Sequence, residues 1–290
     1  MRRILLALSG LLLLCTPWAQ AASGDLAGSA RAVGVMVLAG HELELTRIGQ
    51  MVFWNNRSVV AAPDDALMEL TFQLIKKQIE LEGRAEVARV NVHPADLPVL
   101  AAKAFEGSHA FFGPNISSMA EQLKPYRAGC ACDVLLVVAM DRNELLPNIG
   151  PQVKGFAWVG YSGFDEDVRR SAAGVHLVLH LVDAATGNVL ESARNITDYG
   201  TYDAPRDAHG AIWAREMNAI GPDAWSSLIS AYGADLSRTL RRPLFKLGLK
   251  PSCTRHYYDI QQERYGATRP YSNVPVPPLV LPERTDPSRC

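Results

Sequence analysis

The chain has 290 residues, 29 of them Lys or Arg and 30 Asp or Glu, and 48% of its residues are hydrophobic. This near-neutral balance argues against a dedicated nucleic-acid-binding protein, which needs clustered positive charge. The apolar content is typical of a globular protein and excludes disorder over most of the length.

The amino-terminal segment MRRILLALSGLLLLCTPWAQAA is typical of a secretory signal peptide. Arg2 and Arg3 form its basic region, residues 4–14 its apolar core, and Ala19-Gln20-Ala21 its cleavage site. A lipoprotein signal using Cys15 is the alternative, but the residue before that cysteine is too large. We therefore expect a cleaved signal peptide, no transmembrane segment, and a periplasmic or secreted protein.

Strands and helices follow each other along the rest of the chain. Apolar runs and alternating patterns predict strands at 31–40, 41–48, 85–92, 133–140 and 153–161, and an antiparallel hairpin near 175–194. Helical periodicity predicts two main helices, at 63–83 and 221–242. We expect Asp64 or Asp65 to cap the first helix and Pro243 to end the second.

These elements predict an α/β (α+β) fold, in which two main helices pack on a mixed β-sheet. We assign residues 31–249 to one domain with an insertion at 93–126, and 250–290 to an extended, proline-rich tail. In HELELTRI the leucines alternate with Glu42 and Glu44, which we expect to face solvent.

Four cysteines follow the signal peptide, namely Cys130, Cys132, Cys253 and Cys290. In an oxidising compartment an even number of cysteines indicates disulfides, and four cysteines allow three pairings. We predict structural disulfides that fasten the insertion or the tail to the sheet, each stabilising the fold by about 2–4 kcal/mol. Thiol exchange or metal binding by Cys130 and Cys132 are the alternatives.

Two further motifs invite a catalytic or metal-site interpretation. His176 and His180 lie four apart in a strictly alternating run, and on a strand that spacing is roughly 13 Å, too far for one metal ion. We expect both to lie on a side that is partly solvated or covered by a helix. Ser162, Asp183 and His209 follow the chain order of a hydrolase, but GYSGF lacks the second glycine of a nucleophile elbow, so we interpret it as a turn.

Aromatic residues provide candidates for a contact surface. Phe111 and Phe112 lie in the insertion, and Trp158 and Tyr161 follow in a predicted strand. The last two would also suit a small-ligand pocket. A basic series after the last helix is interpreted as a solvated face; it comprises Arg238, Arg241, Arg242, Lys246 and Lys250.

The run CDVLLVVAMD, followed by VHLVLHLVDAATGNVLES, resembles small envelope α/β domains in which a D-lvv-G strand precedes an l-D-x-x-tG-xvl hairpin. Such domains occur at the amino terminus of TolB, in the curli-secretion lipoprotein CsgG and in the penicillin-binding-protein activator LpoB. The resemblance covers about residues 31–195, and the chain departs from it by an extra strand, the insertion and the absence of a lipidated cysteine. It implies an accessory or assembly role without catalysis, and we carry over no site residue.

The leading prediction is a non-catalytic envelope protein that binds another envelope protein or a cell-wall component, without cofactor or metal. The sequence shows no phosphate loop, metal-ligand cluster or intact nucleophile motif. A thiol-active or metal-binding protein and a small-ligand binder are the alternatives.

Overall fold

The computed structural model describes residues 28–48, 56–81, 85–106, 108–109, 113–114, 119–144, 152–162, 168–195, 220 and 222–250. The strands are β1 (Ala32–Val37), β2 (Glu42–Ile48), β3 (Asn56–Ala61), β4 (Glu86–Arg89), β5 (Ser108–His109), β6 (Gly113–Pro114), β7 (Val134–Met140), β8 (Arg142–Glu144), β9 (Gln152–Ser162), β10 (Val168–Asp183) and β11 (Val189–Arg194). The helices are α1 (Ala66–Glu80), α2 (Leu97–Glu106), α3 (Ala120–Ala128), α4 (Pro222–Thr239) and α5 (Arg241–Lys246).

One mixed sheet organises the molecule, with strand order β3-β2-β9-β10-β7-β1-β4. β11 pairs with β10 and β8 with β9, while β5 and β6 form a separate pair. β1 is parallel to β4 and β7, and β2 is parallel to β9, whereas β10 is antiparallel to β7, β9 and β11. The predicted α/β class and the hairpin near 175–194 are therefore confirmed.

Helices cover both faces of this sheet. α1 packs against β1 and β4, and α2 packs against β7. Every residue of β7 is buried, so the sheet is covered on both sides there. α4 packs against α1 and β10, and its Tyr232 contacts Phe156 of β9 edge-on with ring centroids 5.2 Å apart.

Asp64 fixes both the start of α1 and the position of α4. Its carboxylate accepts a hydrogen bond from the Ala66 amide at 2.9 Å and one from Trp225 Nε1 at 3.1 Å, whereas the N-cap residue Asp65 makes no side-chain capping bond. Because one acidic group serves both helices, the start of α1 and the start of α4 are held together.

Pro243 does not end the helical pattern, so that expectation is wrong. α4 ends at Thr239, and α5 follows with Pro243 in its first turn. A proline is tolerated there because the first amides of a helix have no partner within the helix to lose.

β10 is a 16-residue strand that belongs to two halves of the sheet. Its first half pairs with β9 up to His176, and its second half pairs with β7 and β11. β9 pairs with β8 up to Lys154 and with β10 from Gly155 onward. Gly155 adopts a φ of +56° at this change of partner, and a Cβ atom there would contact the Met140 side chain. A single strand thus carries the connection between the two halves.

Side chains close the edge of β10 where β11 ends. Asn195 accepts a hydrogen bond from the Leu177 amide at 2.5 Å and donates one to the Val175 carbonyl at 2.7 Å. Asp235 of α4 accepts the Val175 amide at 3.2 Å and pairs with Arg238 at 2.6 Å. These groups occupy positions that a further strand would otherwise fill, so the edge is satisfied inside the protein.

Within the described ranges, no helix combines the length and the apolar character needed to cross a membrane.

Candidate functional site

β3 is the outermost strand at one end of the sheet. In the described part of the chain it pairs with β2 alone. The Ala62 amide bonds to the His41 carbonyl, and backbone direction alternates along a strand, so the amides and carbonyls of Arg57, Val59 and Ala61 point away from β2. We call these outward backbone groups, together with the Val59 side chain, the β3 edge.

The β3 edge is more open than the other margins of the sheet. The outer side of β11 is covered by α5, where Lys246 Nζ donates to the Ser192 carbonyl at 3.2 Å. β4, the other terminal strand of the order, has four residues. β3 has six, and the Val59 side chain is 46% exposed. Proteins commonly protect edges by shortening or covering them, and β3 shows neither protection among the described residues.

A buried ionic group anchors β3 to the rest of the sheet. Glu44 of β2 is 1% exposed, which makes the expectation that it faces solvent wrong. Its carboxylate pairs with Arg57 of β3 and accepts hydrogen bonds from Thr46 Oγ1 and from the Lys154 amide, both at 3.3 Å. Three donors around one carboxylate compensate for its burial, so β3 is held firmly from its inner side.

Cys130 and Cys132 lie between the end of α3 and the start of β7. Their sulfur atoms are at bonding distance, and their Cα atoms are 5.2 Å apart. Both residues are partly exposed and Ala131 between them is exposed. The pair sits on Gly34 of β1, where an added Cβ would lie 2.5 Å from the Cys130 sulfur and 2.9 Å from the Cys132 sulfur.

This pairing bears on the predicted role of the cysteines. Cys253 and Cys290 lie outside the described residues. A bond between Cys130 and Cys132 leaves neither of them free to fasten the insertion or the tail to the sheet. Of the three pairings that the sequence allows, the structure is therefore compatible with the one that joins near neighbours.

The chain on both sides of the cysteine pair is held by backbone hydrogen bonds. The Cys130 amide bonds to the Arg127 carbonyl at 3.1 Å, and the Asp133 amide bonds to the Ala32 carbonyl at 2.9 Å. The Asp133 carboxylate also accepts the amides of Arg31 and Ala32 at 2.8 and 3.1 Å. These two hydrogen bonds hold the pKa of Asp133 below its ordinary value.

His176 and His180 lie on β10, as the alternation predicts, and on a side that is fully buried. The pKa of each imidazole is lowered to about 4, by burial in both cases and at His180 also by the positive charge of Arg194. His180 Nδ1 lies 2.8 Å from the Ser192 hydroxyl. Both rings are therefore neutral near pH 7 and belong to the interior of the protein.

The predicted aromatic surface is not assembled among the described residues. Trp158 is completely buried in the core, which corrects the expectation that its indole lines a contact surface or pocket. The backbone of Tyr161 pairs within the sheet with Ile48 and Arg170. Phe111 and Phe112 lie outside the described residues.

The hydrolase-like order of residues does not correspond to a nucleophile elbow in the described chain. Ser162 is the last residue of β9, and its pairing partner Val168 begins β10, so a strand follows it where the elbow needs a helix. Asp183 is used by the next turn, where its carboxylate accepts the amides of Ala185 and Thr186. His209 lies outside the described ranges.

The basic series near the carboxyl end is divided between two internal tasks. Arg238 is largely buried against Asp235, and Lys246 reaches Ser192 and Glu191 of β11. The Lys246 side chain remains 60% exposed, so of these two cations only Arg238 departs from the predicted solvated face.

Two features were not identified from the sequence. The edge position of β3 depends on pairing between distant segments, and only the short β-branched run NRSVVA points to it. Gly34 stands alone in the apolar strand AVGVMV, and glycine in a strand often marks the close approach of another group. That signal was available, but the sequence does not say which group approaches.

Among the described residues, no three His, Cys, Asp or Glu side chains are grouped so that they could hold a metal ion. A scan against protein-family models finds no match for the chain, and a search of curated proteins finds no significant similarity. A function must therefore be inferred from the chain's own residues.

Proposed function

We propose that the chain is an exported, non-catalytic binding module of the bacterial cell envelope, and that the β3 edge receives an extended segment of a partner envelope protein. The observation that carries this proposal is the open edge with its exposed Val59. Such an edge binds a polypeptide by adding it to the sheet as a further strand. The signal-peptide pattern and the resemblance to envelope α/β domains support the location.

The geometry indicates what the partner segment offers. Main-chain groups of Arg57, Val59 and Ala61 supply the hydrogen bonds, which contribute affinity without demanding a particular sequence. The Val59 side chain favours a β-branched or aromatic residue beside it, since such cross-strand pairs stabilise a sheet. The ion pair of the half-exposed Arg57 with the buried Glu44 holds β3 in place, so little ordering of β3 is needed on binding.

A pair of substitutions at one position tests the proposal. Val59→Pro removes an outward amide and places a ring on the edge, while the bonds from β3 to β2 remain. Val59→Thr is the matched control, because it keeps the amide and the β-branched shape. The partner is first identified in cells with a photoreactive amino acid at position 59, compared with the exposed positions Leu81 and Val99.

We expect one envelope protein to crosslink at position 59 and not at positions 81 and 99. With that protein purified, Val59→Pro should weaken binding by about tenfold or more, since one lost net interaction of ~1.4 kcal/mol has that effect, and Val59→Thr should not. Thermal unfolding of both variants must stay close to wild type. Equal crosslinking at all three positions, or wild-type affinity of the proline variant, would refute the proposal.

A further inference from the structure

We infer that Cys130 and Cys132 form a reversible dithiol–disulfide couple that exchanges with the dithiols of other polypeptides. The sulfur atoms are at bonding distance, and the Cα separation of 5.2 Å lies within the range that a disulfide spans. This chemistry concerns the loop between α3 and β7, so it does not depend on the β3 edge.

A bond between these two cysteines contributes little to the stability of the fold. The cross-link closes the chain across one residue, Ala131. A disulfide stabilises mainly by restricting the unfolded chain, and this restriction grows with loop length. In that model, a disulfide raises the equilibrium constant for folding. The increase from the Cys130–Cys132 bond is roughly 200-fold smaller than that from a bond that closes a loop of about 100 residues. A purely structural purpose therefore accounts poorly for the pair.

The pair is nevertheless seated on the sheet and accessible. Gly34 provides the space for both sulfur atoms, since a Cβ at this position would overlap them. The Val90 side chain lies beside the same position, 3.0 Å from such a Cβ. Cys130 and Cys132 remain partly exposed, so an incoming thiolate can approach from the solvent side.

The surrounding backbone keeps the two thiols adjacent when the bond is open. On one side, the amides of Gly129 and Cys130 bond to carbonyls in the last turn of α3. On the other side, Asp133 is fixed to Ala32 of β1 through its amide and its carboxylate. None of these hydrogen bonds involves sulfur, so opening the disulfide leaves its frame in place and the bond can form again.

The exchange takes place in two balanced steps. A thiolate of the substrate dithiol attacks one sulfur of the Cys130–Cys132 bond, which breaks, and the other cysteine leaves as a thiolate that takes up a proton. The second substrate thiolate then attacks the substrate sulfur of the mixed disulfide and releases the remaining cysteine. Two electrons pass from the substrate, which ends as a disulfide, to the protein, which ends as a dithiol.

The test uses the full exported chain and its Cys253→Ser/Cys290→Ser variant, with Cys130→Ser/Cys132→Ser as the matched control. Each protein is equilibrated with reduced and oxidised glutathione, quenched with acid, alkylated, and mapped by peptide mass. A secreted reference protein whose disulfide closes a loop of about 100 residues is included. In parallel, a reduced fluorescent dithiol peptide reports stoichiometric oxidation in a single turnover.

We expect the Cys130–Cys132 bond to be at least half reduced in glutathione buffers in which the reference keeps its disulfide, while the circular dichroism of the protein is unchanged. One equivalent of peptide should be oxidised by the wild type and by the Cys253→Ser/Cys290→Ser variant, but not by the control. The inference is overturned if the bond resists reduction as the reference does, if reduction unfolds the protein, or if mapping joins Cys130 or Cys132 to another cysteine. The glutathione titration of the wild-type protein needs no substitution, so its result stands even if a variant misfolds.

Discussion

At the scale of single residues, the local packing explains Glu44 and Gly34 better than their residue types do. Glu44 is charged but lies in the interior, because Arg57, Thr46 and the Lys154 amide converge on it. Gly34 matters because it has no side chain. The space above it is filled by the two sulfur atoms.

Gly34→Ala should therefore destabilise the protein, although alanine ordinarily suits a strand better than glycine. We expect the free energy of unfolding in urea to fall by about 1–3 kcal/mol, the usual range for an overfilled core. Gly28→Ala is the control, because no atom lies within 4 Å of an added Cβ there.

The cause of this loss can be separated from a general strand defect. In a Cys130→Ala/Cys132→Ala background the sulfur atoms are absent, and Gly34→Ala should then cost less by about 1 kcal/mol or more. Strict additivity of the three substitutions would show that the cysteines are not what Gly34 accommodates.

At the scale of the elements, the sequence predicts those whose pattern is complete within one segment. The alternation in VHLVLHLV and the apolar run of β7 correctly indicate strands, because both depend on neighbouring residues only. The first part of β10, VRRSAAG, carries no such pattern, and its extended form follows from pairing with β9. The same limit applies to β3, whose place at the edge is set by the order of the other strands.

The edge of β10 is the clearest case in which side chains replace a missing strand. Asn195→Ala should remove one hydrogen bond from the Leu177 amide and one from the Val175 carbonyl, and lower the free energy of unfolding by about 1–3 kcal/mol. Hydrogen exchange should show faster exchange of the Leu177 amide. Asn188→Ala, at an exposed turn position, is the control. Unchanged protection at Leu177 would mean that Asn195 does not close this edge.

At the scale of the whole molecule, two buried histidines couple stability to pH. Their folded pKa of about 4 lies below the ordinary value of 6.5, so between these values the unfolded chain binds protons that the folded protein excludes. The stabilisation is complete above about pH 6.5 and is lost as the pH falls towards 4, by up to about 3 kcal/mol for each histidine.

His176→Leu keeps a similar volume and removes one titrating group. Urea unfolding between pH 7.5 and 4.5 should show a smaller loss of stability in this variant than in wild type. Asn188→Ala, at an exposed position that carries no titrating group, should follow the wild-type curve. If His176→Leu loses as much stability on acidification as wild type does, His176 is not the source of the pH dependence.

The arrangement of β10 also has a consequence for how the molecule is built. β1 finds its partner β7, and β2 its partner β9, only about 100 residues later in the chain. Distant pairings of this kind form slowly, because the entropy of closing a long loop is lost before the new contacts stabilise the chain. In a chain exported as we propose, β1 with its partner β4 and β2 with its partner β3 reach the far side of the membrane first. The edges that β7 and β9 will occupy are still open at that stage. Neither half of the sheet is complete until β10 has followed, so the two halves should fold together, after translocation, as one cooperative unit.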